Sequence, residues 1–172
     1  SGKKSREDYL TALSACLEKS MKPALVHVQA YEDLPANHEI DLYSLSGLIS
    51  REVLFELQLK DKSGESINAF KEKVTDVLFS TRCKRGVDFP GDICNAVIYT
   101  KYPNPNAQDI FWKVLRKTHE KQYWNFYFDR AKREFLQRLY RALRSPEDSV
   151  VVSSPDTRVL DAIKEVQRKA TN

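Results

Sequence analysis

Glycine is scarce in this chain, at 5 of 172 residues. That leaves little room for the glycine-rich loops that cradle nucleotide phosphates, and none of the usual phosphate-loop patterns occurs. Cysteine is scarcer still. Cys16, Cys83 and Cys94 show neither CxxC nor metal-ligand spacing, and an odd number argues against a disulfide framework and for a reducing compartment. Cys83, among Arg82, Lys84 and Arg85, reads as a plain loop thiol. The histidines His27, His38 and His119 form no zinc-type spacing, and each is expected at the surface or satisfied by a hydrogen bond. No apolar run approaches the ~20 residues of a membrane span, and the polar N-terminus has no signal-peptide pattern. These absences predict an intracellular protein, nuclear or cytoplasmic, that does not enter a membrane.

What is present is charge of both signs: 28 Lys and Arg against 24 Asp and Glu. The small basic surplus permits a nucleic-acid partner without requiring one. The length suits one domain, residues 1–172, with a core over about 5–144 and a small strand–helix appendix over 149–170.

Punctuation and periodicity divide the chain. A helix is expected over 5–20, with Ser5 as N-cap, Asp8 completing a capping box, and Leu10, Leu13, Cys16 and Leu17 as its apolar stripe. "ALVHVQAY" (24–31) reads as a strand. Two more strands are expected at 38–45 and 52–61, then an amphipathic helix at 65–80 bearing Ile67, Phe70, Val74, Val77 and Leu78. The segment 84–92 reads as a loop and 94–102 as a buried strand. A long helical pattern runs over 107–144, with an interruption near "YWNFYF". A short strand at 149–153 and a last helix after Ser154-Pro155-Asp156 close the order. The predicted fold is α+β, a single mixed β-sheet flanked by helices, in the order α-β-β-β-α-β-α(long)-β-α.

The stretch "HEIDLYSLSGLISREVLFELQLK" (38–60) carries the most specific chemical expectation. On paired strands, side chains at i and i+2 share a face, so Glu39, Asp41 and Tyr43 would lie beside Glu56, Gln58 and Lys60. Asp41 with Glu56 or Gln58 would offer oxygen ligands to Mg²⁺ or Mn²⁺. The metal would polarise a phosphodiester and Lys60 would assist the attacking water. The plainer reading is a solvated sheet face, where alternating polar residues are ordinary.

The pattern E-I-D-L…E-L-Q-L-K resembles the core of the PD-(D/E)XK, restriction-endonuclease-like superfamily. That core runs helix, three strands, helix, strand, similar to the order expected over 5–102. The resemblance implies a metal-binding role for Asp41, the family's lysine at Lys60, the second acid's place taken by Gln58, and an accessory acid at Glu18. The pattern departs from the family's in having Ile40 rather than a Pro-led turn ahead of Asp41 and in placing a neutral Gln where the family carries an acid. The resemblance therefore implies either a metal-dependent nuclease or a catalytically degenerate relative that only binds DNA or RNA.

A second informative stretch runs from Lys113 to Arg144, with ten Lys or Arg and three acids. Arg130, Arg133, Arg141 and Arg144 fall near one stripe suited to a phosphate backbone, and an exposed Tyr123 or Trp124 would stack on bases. A plain amphipathic helix with a basic outer face explains the same pattern. A third reading, from a different functional class, is a protein-interaction module of a larger assembly, with Trp112, Trp124, Tyr127 and Phe128 among its anchors.

Overall fold

The computed structural model describes residues 5–81 and 87–171. Cys83 and the start of the expected 84–92 loop lie outside the described residues. Four short strands, β1 (Ala24–His27), β2 (Val77–Ser80), β3 (Ala96–Tyr99) and β4 (Val151–Ser153), form one sheet in the order β2-β1-β3-β4. Every pairing is parallel. The expected mixed sheet is thus corrected to an all-parallel one. The reason is connectivity: helices join β1 to β2 and β3 to β4, and a crossover is what a parallel pair requires.

The helices are α1 (Arg6–Glu18), α2 (Asn37–Leu42), α3 (Arg51–Lys60), α4 (Glu65–Lys71), α5 (Ile110–Thr118), α6 (Glu120–Leu139) and α7 (Thr157–Ala170). Strand alternation sends residues to two cores. Ala24, Val26, Ala96 and Ile98 point to one, with Leu10, Leu13 and Leu17 of α1 and Leu54 of α3. Leu25, Leu78, Val97 and Tyr99 point to the other, with Phe70 of α4, Phe135 and Leu139 of α6, and Val159 of α7. The result is a three-layer α/β/α sandwich whose central strands β1 and β3 are buried on both faces. The 149–170 segment is integral to it, β4 extending the sheet and α7 covering it.

The capping box expected at the first helix forms: the Ser5 hydroxyl accepts from the Asp8 amide at 3.0 Å, and Asp8 accepts from the Ser5 amide at 3.1 Å. Three expectations fail. Residues 38–45 and 52–61 are not strands; α2 and α3 occupy them. Ser50 caps α3 by accepting from the Val53 amide at 3.2 Å, and the Leu, Glu, Gln and Lys that follow are strong helix formers. The expected helix at 65–80 stops at Lys71, and Val77–Ser80 instead forms β2. The break falls at Lys73, whose φ of 59° leaves the helical region.

Candidate functional site

The metal-site geometry expected of 38–60 does not assemble, because its residues are helical. Asp41 sits exposed on α2. On α3, Glu56 and Lys60 are one turn apart and exposed, whereas Gln58 projects from another side of the helix. There Gln58 ties α3 to neighbouring segments, its Oε1 accepting from the Tyr31 hydroxyl at 2.5 Å and the Thr81 hydroxyl at 2.9 Å. Among the described residues no three of His, Cys, Asp or Glu are grouped to hold a metal ion. The acid that is buried in this stretch is Glu39. Its carboxylate takes both Nε and Nη2 of Arg6, at 3.0 and 3.1 Å, and the Ala36 amide at 2.8 Å. The Arg6 guanidinium pulls its pKa down to about 2. Glu18 accepts from Ser14 and Ser46, binding α1 to the 43–49 turn.

The basic, aromatic stretch splits in two. Its helix breaks at His119, so α5 and α6 are separate. Trp112 folds against Tyr123 and Tyr127 with ring centroids 6.1 and 5.2 Å apart, and is 8% exposed. The Tyr127 hydroxyl donates to the Pro105 carbonyl at 2.7 Å. Trp124 and Phe128 stack on each other at 5.6 Å and remain 53% and 58% exposed. They continue the stripe on which Ala131, Phe135 and Leu139 reach the core, one and two turns beyond its edge.

The four arginines do not form one stripe. Arg130 and Arg133 are exposed on α6, Arg133 pairing with Asp129 at 2.7 Å. Arg141 and Arg144 follow the helix end. Arg141 donates from Nη1 to the Val87 carbonyl at 2.9 Å, and Arg144 pairs with Asp88 at 2.6 Å. Arg141 and the buried Arg138, itself paired to Glu134 at 3.0 Å, lie close to His27 at the end of β1. Burial and then the charges of Arg138 and Arg141 push the His27 pKa down to about 3.

At the carboxyl ends of β1 and β3 the chain leaves β1 for one side of the sheet and later crosses to the other. In open parallel sheets such a switch point is where ligands bind. Here it is lined by a dense network. Asp33, 1% exposed, accepts from the Thr100 hydroxyl and the Ala30 amide, both at 3.0 Å, and pairs with Lys101 Nζ at 2.5 Å. The Thr100 hydroxyl accepts from the Gln29 amide at 3.0 Å. Tyr9 donates to the Asp33 carbonyl at 3.1 Å, and burial raises its pKa. Half-exposed Lys101 is the group of this network that reaches solvent. Asp33, Thr100, Lys101 and Arg138 had no place among the sequence candidates. The available signal was positional: Thr100 and Lys101 directly follow the buried run "AVIY", where parallel sheets place their chemistry.

These features define a doubly wound parallel α/β domain, with its polar groups gathered at the carboxyl edge of the sheet. Residues 13–172 match the helicase C-terminal domain family, and the chain belongs to that family. It is similar to a probable ATP-dependent helicase of Methanocaldococcus jannaschii, 25% identical over 183 residues that cover 97% of this chain and 28% of that protein. The chain therefore spans 28% of the length of that curated relative. Family membership overturns the PD-(D/E)XK resemblance, and the metal-dependent phosphodiesterase inferred from it falls as well. Among the described residues no helix is long and apolar enough to cross a membrane.

Proposed function

We propose that this chain works as the C-terminal domain of an ATP-dependent helicase acting on DNA or RNA. The observation that carries the proposal is the family match over 13–172, which coincides with a parallel sheet of the kind that binds ligands at its carboxyl edge. Lacking a glycine-rich phosphate loop, the chain would contribute cations rather than a phosphate cradle. Lys101, Arg141 and Arg144 would be the cations available to neutralise ATP phosphates, and Mg²⁺ would arrive with those phosphates. Exposed Arg130 and Arg133 would contact the nucleic-acid backbone. The test is single-stranded oligonucleotide binding across a salt series. Wild type should lose affinity steeply as salt rises, and Arg130→Ala with Arg133→Ala should flatten the log–log slope by about 1 for each phosphate contact removed. Salt-independent binding, or an unchanged slope in the double variant, defeats the assignment of these arginines. Absence of nucleic-acid-stimulated ATPase in the full-length protein defeats the helicase reading itself.

A protein-contact role for the α5–α6 projection is the second reading. It is favoured by the exposed stack of Trp124 and Phe128, which prolongs a core-facing stripe past the core. Trp124→Ala with Phe128→Ala should then leave oligonucleotide affinity unchanged; a clear loss would move these rings to the nucleic-acid side.

A further inference from the structure

The sheet ends on one side at β2, and among the described residues no strand pairs with its outer edge. The carbonyls of Asp76 and Ser80 accept from Ala24 and Val28 at 2.8 Å each, so these positions turn toward β1. In a parallel strand the alternate residues then turn their amides and carbonyls the opposite way. Val77 and Phe79 therefore direct their backbone groups outward. A row of outward-facing donors and acceptors is a template for another strand.

The edge does not face open solvent directly. It forms the floor of a groove of about 1140 Å³ walled by α3 on one side and α4 on the other. Phe55, Leu57 and Leu59 of α3 line it, although a helix of a soluble domain would normally present polar side chains there. Phe55 packs edge-on against Tyr31 at 5.6 Å. The Gln58 carboxamide, held by Tyr31 and Thr81, fixes one end of the groove. The charge of the lining is one-sided: Asp61, Glu65 and Asp76 belong to it, and among the described residues no Lys or Arg does. This is an acidic trough in a chain with a net charge of +4.

We propose that the β2 edge groove docks an extended peptide segment of alternating apolar and basic residues, which joins the sheet as a fifth strand. Main-chain bonds to Val77 and Phe79 would supply the pairing. Alternate side chains would enter the apolar wall of α3 or meet the carboxylates at the rim. The same carboxylates repel a phosphate backbone, which sets this surface apart from the exposed Arg130 and Arg133 of α6. The inference goes beyond the helicase reading and stands without it.

The test uses the 172-residue chain and a fluorescent hexapeptide alternating valine and lysine. Three results are expected. Binding is saturable, and replacing lysine by glutamate, or methylating alternate backbone nitrogens of the peptide, weakens it by roughly tenfold or more. The double variant Glu65→Lys with Asp76→Lys, both at exposed positions, weakens it to a similar degree without loss of fold. The Val77 and Phe79 amides become slower to exchange in deuterated buffer when peptide is added. Absence of saturable binding, equal binding of the glutamate or methylated peptide, or unchanged amide exchange overturns the proposal. Competitive displacement of the peptide by a single-stranded oligonucleotide also overturns it.

Discussion

His27 makes the stability of this domain depend on pH in a window where few other groups titrate. It ends β1 at the centre of the sheet, 1% exposed, with the Tyr99 ring 5.1 Å away and Arg138 and Arg141 nearby. Burial is the larger cause of its lowered pKa and the two guanidiniums the smaller, and both disfavour the imidazolium. In the unfolded chain the same imidazole titrates near its ordinary value of about 6.5. Below that value the unfolded state takes up a proton that the folded state refuses until about pH 3. The unfolded state then binds more protons, so stability is complete above the unfolded value and falls as pH drops. Between pH 7 and pH 5 the loss is about 2 kcal/mol, set almost wholly by the unfolded value because the folded one lies well below the window. Glu39, also depressed, contributes its own loss only as pH falls from about 4.5 toward 2, so it has barely begun to act at pH 5. Urea denaturation at the two pH values reads the effect as a shift in midpoint at constant m. His27→Leu should abolish most of the difference. If wild type and His27→Leu lose the same stability between pH 7 and pH 5, His27 is not the buried neutral group described.

Two further perturbations test the packing and the correction at 38–60. Phe135 lies in the second core, 1% exposed, with Tyr99 and Tyr102 rings at 5.1 and 5.5 Å. Phe135→Ala should cost about 3–5 kcal/mol in urea denaturation, and a loss under ~1 kcal/mol would mean that α6 does not seat on the sheet as described. Asp41→Ala and Lys60→Ala, at exposed helical positions, should each change stability by less than about 0.5 kcal/mol. Chelator treatment should leave their melting temperatures and that of wild type unaltered. A chelator-sensitive melt removed by Asp41→Ala would reinstate a metal at that carboxylate.

Elements whose ends carry their own chemistry were legible in the sequence. Ser5 with Asp8 announced α1, the run "AVIY" announced β3, and Ser154-Pro155-Asp156 announced α7, where Asp156 accepts from the Arg158 amide. The switch-point network was not legible. Asp33 lies in what reads as an ordinary turn, and its partners Thr100 and Lys101 are 67 and 68 positions further on. Only the parallel pairing of β1 with β3 brings them together. Sheet direction was hidden for the same reason. Once α2 and α3 are mistaken for strands, β1 reads as continuing into a meander, and a meander is antiparallel.

The error at 52–60 has a definite physical source. Apolar residues at every second position predict a strand because a strand buries one face. On a helix the same spacing scatters them around the axis, and only Leu54 of α3 is buried. A helix in an isolated domain gains nothing from that arrangement, and the competing signals were present in Ser50 and in a segment whose only β-branched residue after Glu52 is Val53. The local pattern therefore disagrees with the local structure at the wall of the acidic trough. Natural sequences break their own patterning where a surface serves function. Phe55, Leu57 and Leu59 both misdirect a sequence reading and line the groove beside the open β2 edge, and a strand docking there, as proposed, would give their exposed apolar surface a partner.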